Sequence, residues 1–254
     1  MGEPVWLLST RERPRLAQAC LDACKACNMR SQGLLIVDGD PERSYRELDI
    51  PANWRLVWRR ERRGLSAALR LLLTEYPDAS SYGWLADDNL PRTPHFDRLL
   101  EEAAGAWCLA YANDGGWVSG TIEGKLALQA GGCFSAGLCW GGELVRCAGW
   151  LAFPGSFQAG TDVAWAELVR PYGLHRYLDE VVVEHRHWRS GKRPQDRLDT
   201  DMEDTNGQRH TSGDVQRLYE WIGSAEMDET LERIKQNVDA RVARLSYLGP
   251  GVRA

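Results

Sequence analysis

An apolar segment of the chain ends in two adjacent carboxylates and an amide. The run from Tyr82 to Pro91 reads YGWLADDNLP, so Asp87, Asp88 and Asn89 directly follow the apolar residues. Divalent ions of the magnesium or manganese type prefer hard oxygen ligands and are often bound by one or two carboxylates together with substrate phosphates. Asp-Asp-Asn is also good turn chemistry. The sequence therefore predicts either a metal-diphosphate site here or a polar turn after a buried strand.

The elements that would position this pair alternate between strand and helix patterns. Buried strands are predicted at residues 5–10, 33–40, 54–58 and 81–86, and helices from Pro14 onward and over residues 65–76. Such alternation implies a mostly parallel sheet built from right-handed crossovers, with ligands gathering at the carboxyl ends of its strands. Thr10, Asp38, Asp87 and Asp88 all fall at predicted strand ends, which places them at one edge of the sheet.

The second half of the chain has a looser order. It is predicted to contain a helix over 95–104, a strand over 106–111, an irregular loop over 113–142, helices over 143–148 and 160–169, a strand over 177–184 and a mainly helical segment over 215–245. We therefore expect a catalytic domain at 1–190, a polar linker at 191–212 and a C-terminal helical extension at 213–254. The acidic cluster from Asp196 to Asp204 does not have EF-hand spacing and is predicted to be a solvated surface segment.

Composition indicates an ordinary globular protein. The chain has 254 residues, of which 43% are hydrophobic and 26% charged, with a formal net charge of -5. This charge argues against a protein that coats nucleic acid or anionic membrane through its overall field, although it permits a local basic patch. The sequence has no apolar stretch near the roughly 20 residues of a membrane span and no signal-like start. The seven cysteines, an odd number, look like reduced thiols, so we expect a cytoplasmic location.

Three of the cysteines have a spacing that invites a second interpretation. Cys20, Cys24 and Cys27 match the CxxxCxxC pattern with which radical S-adenosylmethionine enzymes hold an iron-sulfur cluster. The same positions lie on one face of a helix, where small buried thiols are common. The residues between them favour a continuous helix, so core packing is the favoured interpretation and a radical enzyme the alternative.

A basic run follows the third predicted strand. Residues 59–63 read RRERR, and arginine forks suit phosphate oxygens, although a charged solvated turn explains them as well. Gly64 then begins a helix whose free amide groups are predicted to face a diphosphate, with Arg63 beside it.

Two further sets of side chains follow later in the sequence. His185 and His187 are two residues apart, so in an extended strand both face the same side, where a neutral imidazole can bind a metal. Asp162 stands at the start of a predicted helix, where Thr161 or Asp162 is expected to cap it. The functional alternative is that Asp162 acts as a general base for an incoming hydroxyl.

Together these residues resemble the GT-A fold glycosyltransferases, especially small bacterial and phage members akin to the inverting family two. The resemblance covers about residues 4–200 and rests on the segments 9–14, 63–68, 85–94, 142–145, 149–151, 154–155 and 182–187, with Asp38 and Asp162. It implies a Rossmann-like nucleotide-diphospho-sugar transferase fold with a mostly parallel sheet flanked by helices. The sequence departs from the strict Asp-x-Asp form of such enzymes, since Ala86 precedes the acidic pair and Asn89 follows it.

The resemblance also implies roles for individual residues. Thr10, Arg13 and Asp38 would hold the nucleotide. Asp88, with Asp87 near it, would bind Mn²⁺ or Mg²⁺. His185 would complete the metal site, with His187 as its substitute, and Asp162 would be the catalytic base.

The implied reaction moves a sugar from a nucleotide-diphospho-sugar, a UDP-sugar in our prediction, to an acceptor hydroxyl with inversion. Because the resemblance includes phage enzymes, a modified DNA base in the host cytoplasm is one acceptor, and the run from Trp54 to Arg63 suits a nucleic-acid strand. Glycan, protein and small-molecule acceptors stay equally open. The alternative function is a module that binds sugar nucleotide or glycan without catalysis.

Overall fold

The computed structural model describes residues 2–115, 137–188, 191–196, 199 and 212–247. Within them the chain forms eight strands: β1 Val5–Thr10, β2 Gln32–Asp38, β3 Trp54–Arg59, β4 Ser81–Ala86, β5 Asn89–Pro91, β6 Leu109–Asn113, β7 Leu138–Gly141 and β8 His175–His185. The helices are α1 Pro14–Ala26, α2 Gly64–Glu75, α3 Phe96–Ala104, α4 Gly142–Ala148, α5 Thr161–Val169, α6 Ser212–Trp221 and α7 Ala225–Tyr247. The predicted α/β class is confirmed.

All eight strands join one sheet in the order β3-β2-β1-β4-β7-β6-β8-β5. The first four strands along the chain are parallel, as predicted, with Leu7 of β1 opposite Leu34 and Trp84 of its two neighbours. The other half is mixed, because β7 runs antiparallel to β4 and β6, and β5 runs antiparallel to β8. The sequence did not predict β5 and β7, since strands of three and four residues are too short to show a period.

Helices cover both faces of the sheet, so its central strands are apolar on both sides. In β1, Val5 and Leu7 belong to one core cluster, and Trp6 and Leu8 to the other. The first cluster also contains residues of α2, α4, α5, α6 and α7, and the second contains residues of α1 and α3. This arrangement explains why the strands read as continuous apolar runs rather than as alternating ones.

The cysteine motif lies in the second core cluster. Cys20 and Cys24 are on α1, Cys27 is its C-terminal cap, and their exposed fractions are 0%, 1% and 5%. The continuous helix holds the thiols against the sheet and does not wrap around a cluster. The structure therefore supports the core-packing interpretation and not the radical-enzyme alternative.

The C-terminal helices pack against the main core. Leu218 and Trp221 of α6 and Ile234 of α7 are buried in the first core cluster, and the indole of Trp221 meets that of Trp150 edge-on at 5.6 Å. The predicted helical segment is thus two helices. No helix in the described ranges has both the length and the apolar character needed to cross a membrane.

Candidate functional site

A cavity of about 250 Å³ opens where the parallel strands end. The ends of β1, β2 and β4 bring Thr10, Asp38 and the Asp87–Asp88 pair to it, as the strand order predicted. Its lining includes Ser9, Thr10, Arg11, Arg13, Asp38, Arg62, Gly64, Leu65, Ala68, Trp84, Ala86, Asp87, Asp88, Gln158, His187 and Asp199. Five of the residues predicted to hold the nucleotide donor, and the first predicted metal ligand, therefore share one cavity.

A tight turn between β4 and β5 orients the acidic pair. The side-chain oxygen of Asn89 accepts the N–H of Ala86 at 3.0 Å, so the turn interpretation is confirmed. Asn89 then pairs with His185 of β8, and the carbonyl of Asp88 accepts the N–H of Arg186 at 2.8 Å. This pairing brings the imidazole Nε2 of His185 to 3.4 Å from Asp88 Oδ1. The turn interpretation and the acidic-site interpretation are therefore compatible, because the turn positions the two carboxylates.

The two carboxylates are in different electrostatic environments. Burial and the adjacent charge of Asp88 raise the pKa of Asp87 to about 7, even though Thr10 donates to it at 2.9 Å and Arg13 lies 3.6 Å away. Burial alone would also raise the pKa of Asp88, but the hydrogen bond from His185 and the charge of Arg13 bring it well below its usual range. Asp88 is therefore the permanent anion of the pair.

Asp88 and His185 fit a divalent metal ion. An ion with bonds of about 2.1 Å to two neighbouring ligands holds them about 3 Å apart, close to the 3.4 Å between Asp88 Oδ1 and His185 Nε2. In the part of the chain that the structure describes, no three His, Cys, Asp or Glu side chains surround one point. These two ligands would thus need oxygens from a substrate or water to complete the coordination, which is usual for magnesium and manganese.

His187 lies beside this pair and lines the cavity. Its ring centroid is 5.5 Å from that of His185, in an edge-on arrangement. Burial and the neighbouring His185 lower the pKa of His187 to about 4, so its imidazole is neutral at pH 7. A neutral imidazole can bind a metal, and the role of His187 as the substitute ligand stays a prediction.

An ion-pair network that the sequence analysis missed lies against the acidic pair. Arg13 donates to Asp196 at 2.7 and 2.8 Å and to Asp199 at 2.6 Å. Arg193 also donates to Asp199, at 2.6 and 2.8 Å, and its Nη2 lies 3.7 Å from Asp88 Oδ2. Asp199 is only 5% exposed. The prediction of a solvated segment is therefore wrong for Asp199, whereas the side chain of Asp196 is 36% exposed. The sequence has no local signal for a pairing that spans more than 180 positions.

Asp38 binds the start of α2. Its carboxylate accepts the N–H groups of Arg63 at 3.0 Å and of Gly64 at 2.8 Å, and it lies 3.6 Å from Nη1 of Arg59. The guanidinium of Arg63 points instead toward Glu61, 3.6 Å away, and lines a neighbouring groove rather than the cavity.

The loop before α5 occupies the next amide groups of α2. The N–H of Leu65 donates to the side chain of Gln158 at 3.2 Å, and the N–H of Ser66 donates to the carbonyl of Phe157 at 3.1 Å. The prediction that free amides of this helix face a diphosphate is therefore wrong, because protein groups already accept their hydrogens. Gln158, which the sequence analysis did not single out, lines the cavity as a result.

Asp214 of α6 fixes this loop from the other side. Its carboxylate accepts the backbone N–H groups of Phe157, Gln158 and Ala159 at 2.9, 2.7 and 3.0 Å, and it also binds Arg217. Burial opposes ionisation, but Arg217 and the three N–H donors lower the pKa of Asp214. The C-terminal extension thus orders a wall of the cavity.

Replacing Asp214 with asparagine is expected to lower the free energy of unfolding by about 2 kcal/mol at pH 7, because buried donors lose a charged acceptor. Since the pKa is lowered in the folded state, the carboxylate stabilises the protein above the ordinary Asp pKa near 4, and this contribution is lost as the pH falls further. Urea unfolding at several pH values measures the effect. The difference in the free energy of unfolding between Asp214→Asn and the parent protein should become smaller in acid. The control Glu220→Gln, at an exposed position on the same helix, should change the free energy of unfolding little.

Asp162 lies in the first turn of α5 and is half-buried. The capping interpretation is wrong, since Gly160 is the N-cap residue and the start of the helix has no side-chain cap hydrogen bond. Asp162 is not among the described residues that line the cavity. Its role as a base therefore stays a prediction.

Known proteins resemble this chain in structure but not detectably in sequence. No family model and no curated protein sequence matches the chain. Among solved structures, glucosyl-3-phosphoglycerate synthase from Mycobacterium tuberculosis superposes with a TM-score of 0.55 at 16% identity, covering 78% of this chain and 75% of that one. This chain has the GT-A fold.

A second GT-A structure is similar over a shorter part of its length. S. aureus TarS superposes with a TM-score of 0.50 at 9% identity, covering 71% of this chain and only 36% of TarS. The M. tuberculosis synthase was solved with Mn²⁺, uridine diphosphate and glucosyl-3-phosphoglycerate. At these sequence identities the structural similarity establishes the shared GT-A fold and does not establish a shared activity.

Proposed function

We propose that this GT-A domain is a glycosyltransferase that moves a sugar from a UDP-sugar to an acceptor hydroxyl with the help of Mn²⁺ or Mg²⁺. The observation that carries the proposal is the 3.4 Å contact of His185 with Asp88, because Asp88 and its neighbour Asp87 line the cavity at the carboxyl ends of the parallel strands. The M. tuberculosis synthase, which shares the fold, has also been solved with Mn²⁺ and UDP-glucose, which supports a uridine diphosphate donor and a divalent metal.

Thr10, Arg13 and Asp38 are our proposed nucleotide contacts. All three line the cavity, and the hydroxyl of Thr10 and the guanidinium of Arg13 are already held toward Asp87. Gly64 also lines the cavity, and its lack of a side chain lets the carbonyl of Phe157 pack closely against it. Arg63 is not retained as a donor contact, because its side chain turns away from the cavity.

Asp88 and His185 would hold the metal ion, with His187 next to them. When bound, the ion would neutralise the charge that grows on the diphosphate as the bond to the sugar breaks. Arg13 and Arg193 lie within 4 Å of the acidic pair and would add positive charge toward the same group. Charge stabilisation that is stronger in the transition state than in the ground state is what accelerates the reaction.

Asp162 is our proposed base. It would accept the proton of the acceptor hydroxyl while that oxygen bonds to the anomeric carbon and the bond from this carbon to the diphosphate oxygen breaks. In-line displacement from the face opposite the leaving group inverts the anomeric centre. Uridine diphosphate leaves with the bonding electron pair.

The proposed acceptor is a modified DNA base, as in a phage enzyme, or a glycan, and the sugar moved is a hexose or a pentose. The free thiols described in the structure accord with a cytoplasmic location.

A panel of sugar nucleotides tests the proposal and names the donor. In the presence of Mn²⁺, one UDP-sugar should raise the melting temperature of the protein by several degrees, because ligands that bind only the folded state stabilise it. The same sugar nucleotide should then release uridine diphosphate slowly, by transfer or hydrolysis. Binding without any release would instead indicate a sugar-nucleotide binding module, and no shift with any UDP-sugar would refute the proposed donor.

A further inference from the structure

A second concave surface is lined by other residues of the segment 59–64, which also contributes to the cavity described above. This groove, about 820 Å³ in volume, runs between edge strand β3 and helix α2. Its lining includes four arginines and one carboxylate: Arg59, Arg60, Arg63, Arg70 and Glu61. We call it the arginine groove. We call the cavity at the strand ends, where the sugar nucleotide is proposed to bind, the donor cavity. The donor cavity and the arginine groove share no lining residue, although Arg62 and Gly64 of the cavity flank Arg63 of the groove in the sequence.

Among the described residues, positive charge outweighs negative charge in the arginine groove. Four guanidinium groups there face two described carboxylates, Glu61 in the groove and Asp38 behind Arg59. The side chains of Arg60 and Arg70 are exposed and form no ion pair with any residue in the described ranges. In a chain whose net charge is -5, this is a local concentration of the opposite sign.

The side chain of Arg59 is only 12% exposed and is affected by the charges of two other arginines of the groove. Burial, together with repulsion from Arg63 and Arg70, lowers the pKa of its guanidinium despite the attraction of Asp38. One of its nitrogens, Nη1, is buried without a hydrogen bond to any described residue, although Asp38 lies 3.6 Å from it, while Nη2 donates to the carbonyl of Ala67 at 2.6 Å. An anion in the groove would relieve this repulsion and would meet several guanidinium forks at once.

We propose that the arginine groove binds a chain of linked phosphate groups. Several guanidinium groups along one groove suit phosphates in series better than a single carboxylate. The described residues that line the groove include no aromatic side chain on which bases could stack, so the groove would contact the phosphate groups and not the bases. Phosphate binding here would not depend on glycosyl transfer, because none of the four groove arginines lines the donor cavity.

Binding to two probes tests the proposal with the full chain in EDTA. The probes are a fluorescein-labelled 12-nucleotide oligothymidylate, followed by anisotropy, and inorganic tripolyphosphate, followed by calorimetry and as a competitor. The variant Arg60→Gln with Arg70→Gln removes two exposed charges. We expect it to bind about five- to tenfold more weakly and to lower the salt dependence of oligothymidylate binding by about one unit of log-log slope.

The matched control is Arg43→Gln with Arg98→Gln, which removes the same charge from exposed positions elsewhere. It should change affinity less than twofold. Displacement of the oligonucleotide by tripolyphosphate would show that the groove binds bare phosphate groups, and binding of the oligonucleotide alone would show that it requires spaced phosphodiesters; both support the proposal. Absence of binding by either probe, or equal losses in both double variants, would overturn it and would leave the proposed transferase activity untouched.

Discussion

Replacing Asp88 with alanine is expected to reduce the release of uridine diphosphate from the UDP-sugar by about a thousandfold or more. Asp88 is the anion that His185 approaches at 3.4 Å, and it would supply the only carboxylate bond to the metal ion in our account. Loss of charge stabilisation at a leaving group costs several kcal/mol of transition-state binding, which corresponds to this range. The rate is measured by coupled detection of uridine diphosphate at saturating Mn²⁺.

Two control variants make the result specific. Asp88→Asn keeps the shape of the side chain but removes its charge, so it should lose nearly as much activity as Asp88→Ala. Asp78→Asn changes an exposed carboxylate near the opposite end of the same strand and should keep full activity. Activity of Asp88→Ala within tenfold of the parent protein would show that this carboxylate does not hold the metal.

Gly64→Ala is expected to have the largest effect on stability, about 3 kcal/mol or more. Gly64 has a φ of +74°, and a Cβ atom there would lie 2.3 Å from the carbonyl oxygen of Phe157. The left-handed conformation costs an alanine about 1 kcal/mol, and the overlap with backbone forces the loop away from α2. Because this loop carries Gln158 into the donor cavity, the affinity for the sugar nucleotide should fall as well.

Gly149→Ala separates these two causes. Gly149 has a φ of +83°, but a Cβ atom there would meet nothing within 4 Å. It should therefore cost only the conformational part, about 1 kcal/mol, and leave donor binding unchanged. Urea unfolding measures both free energies, and equal costs for the two variants would contradict the close packing of α2 against the loop.

The sheet edge and its acidic residues could be predicted from the sequence because the signals are local. Apolar runs stopped by Thr10, Asp38 and Asp87 mark where parallel strands end, and parallel strands end at one edge. The strand pattern over 177–184 likewise put His185 at a strand end, whereas its place beside Asp88 was implied only by the resemblance. These features depend on the period of the apolar residues and on the order of strands and helices along the chain, and both can be read from a single sequence.

The rest depends on contacts that have no local pattern. The pairing of Arg13 with Asp199 joins distant segments, and the polar sequence around Asp199 looks solvated until the fold buries it. The amides of α2 look free in the sequence because their acceptors, Asp38 and the 157–158 loop, come from elsewhere in the chain. The predicted loop over 113–142 lies partly outside the described residues, and within them the prediction is wrong for 138–141, which form β7.

The most direct test of the central claim is the affinity of the protein for uridine diphosphate, measured by calorimetry with and without Mn²⁺. If Asp88 and His185 hold the ion that meets the diphosphate, Mn²⁺ should tighten binding at least about tenfold in the parent protein. The same addition should have almost no effect in Asp88→Asn. Equal affinity with and without Mn²⁺ in the parent protein, or an undiminished manganese effect in the variant, would contradict the account.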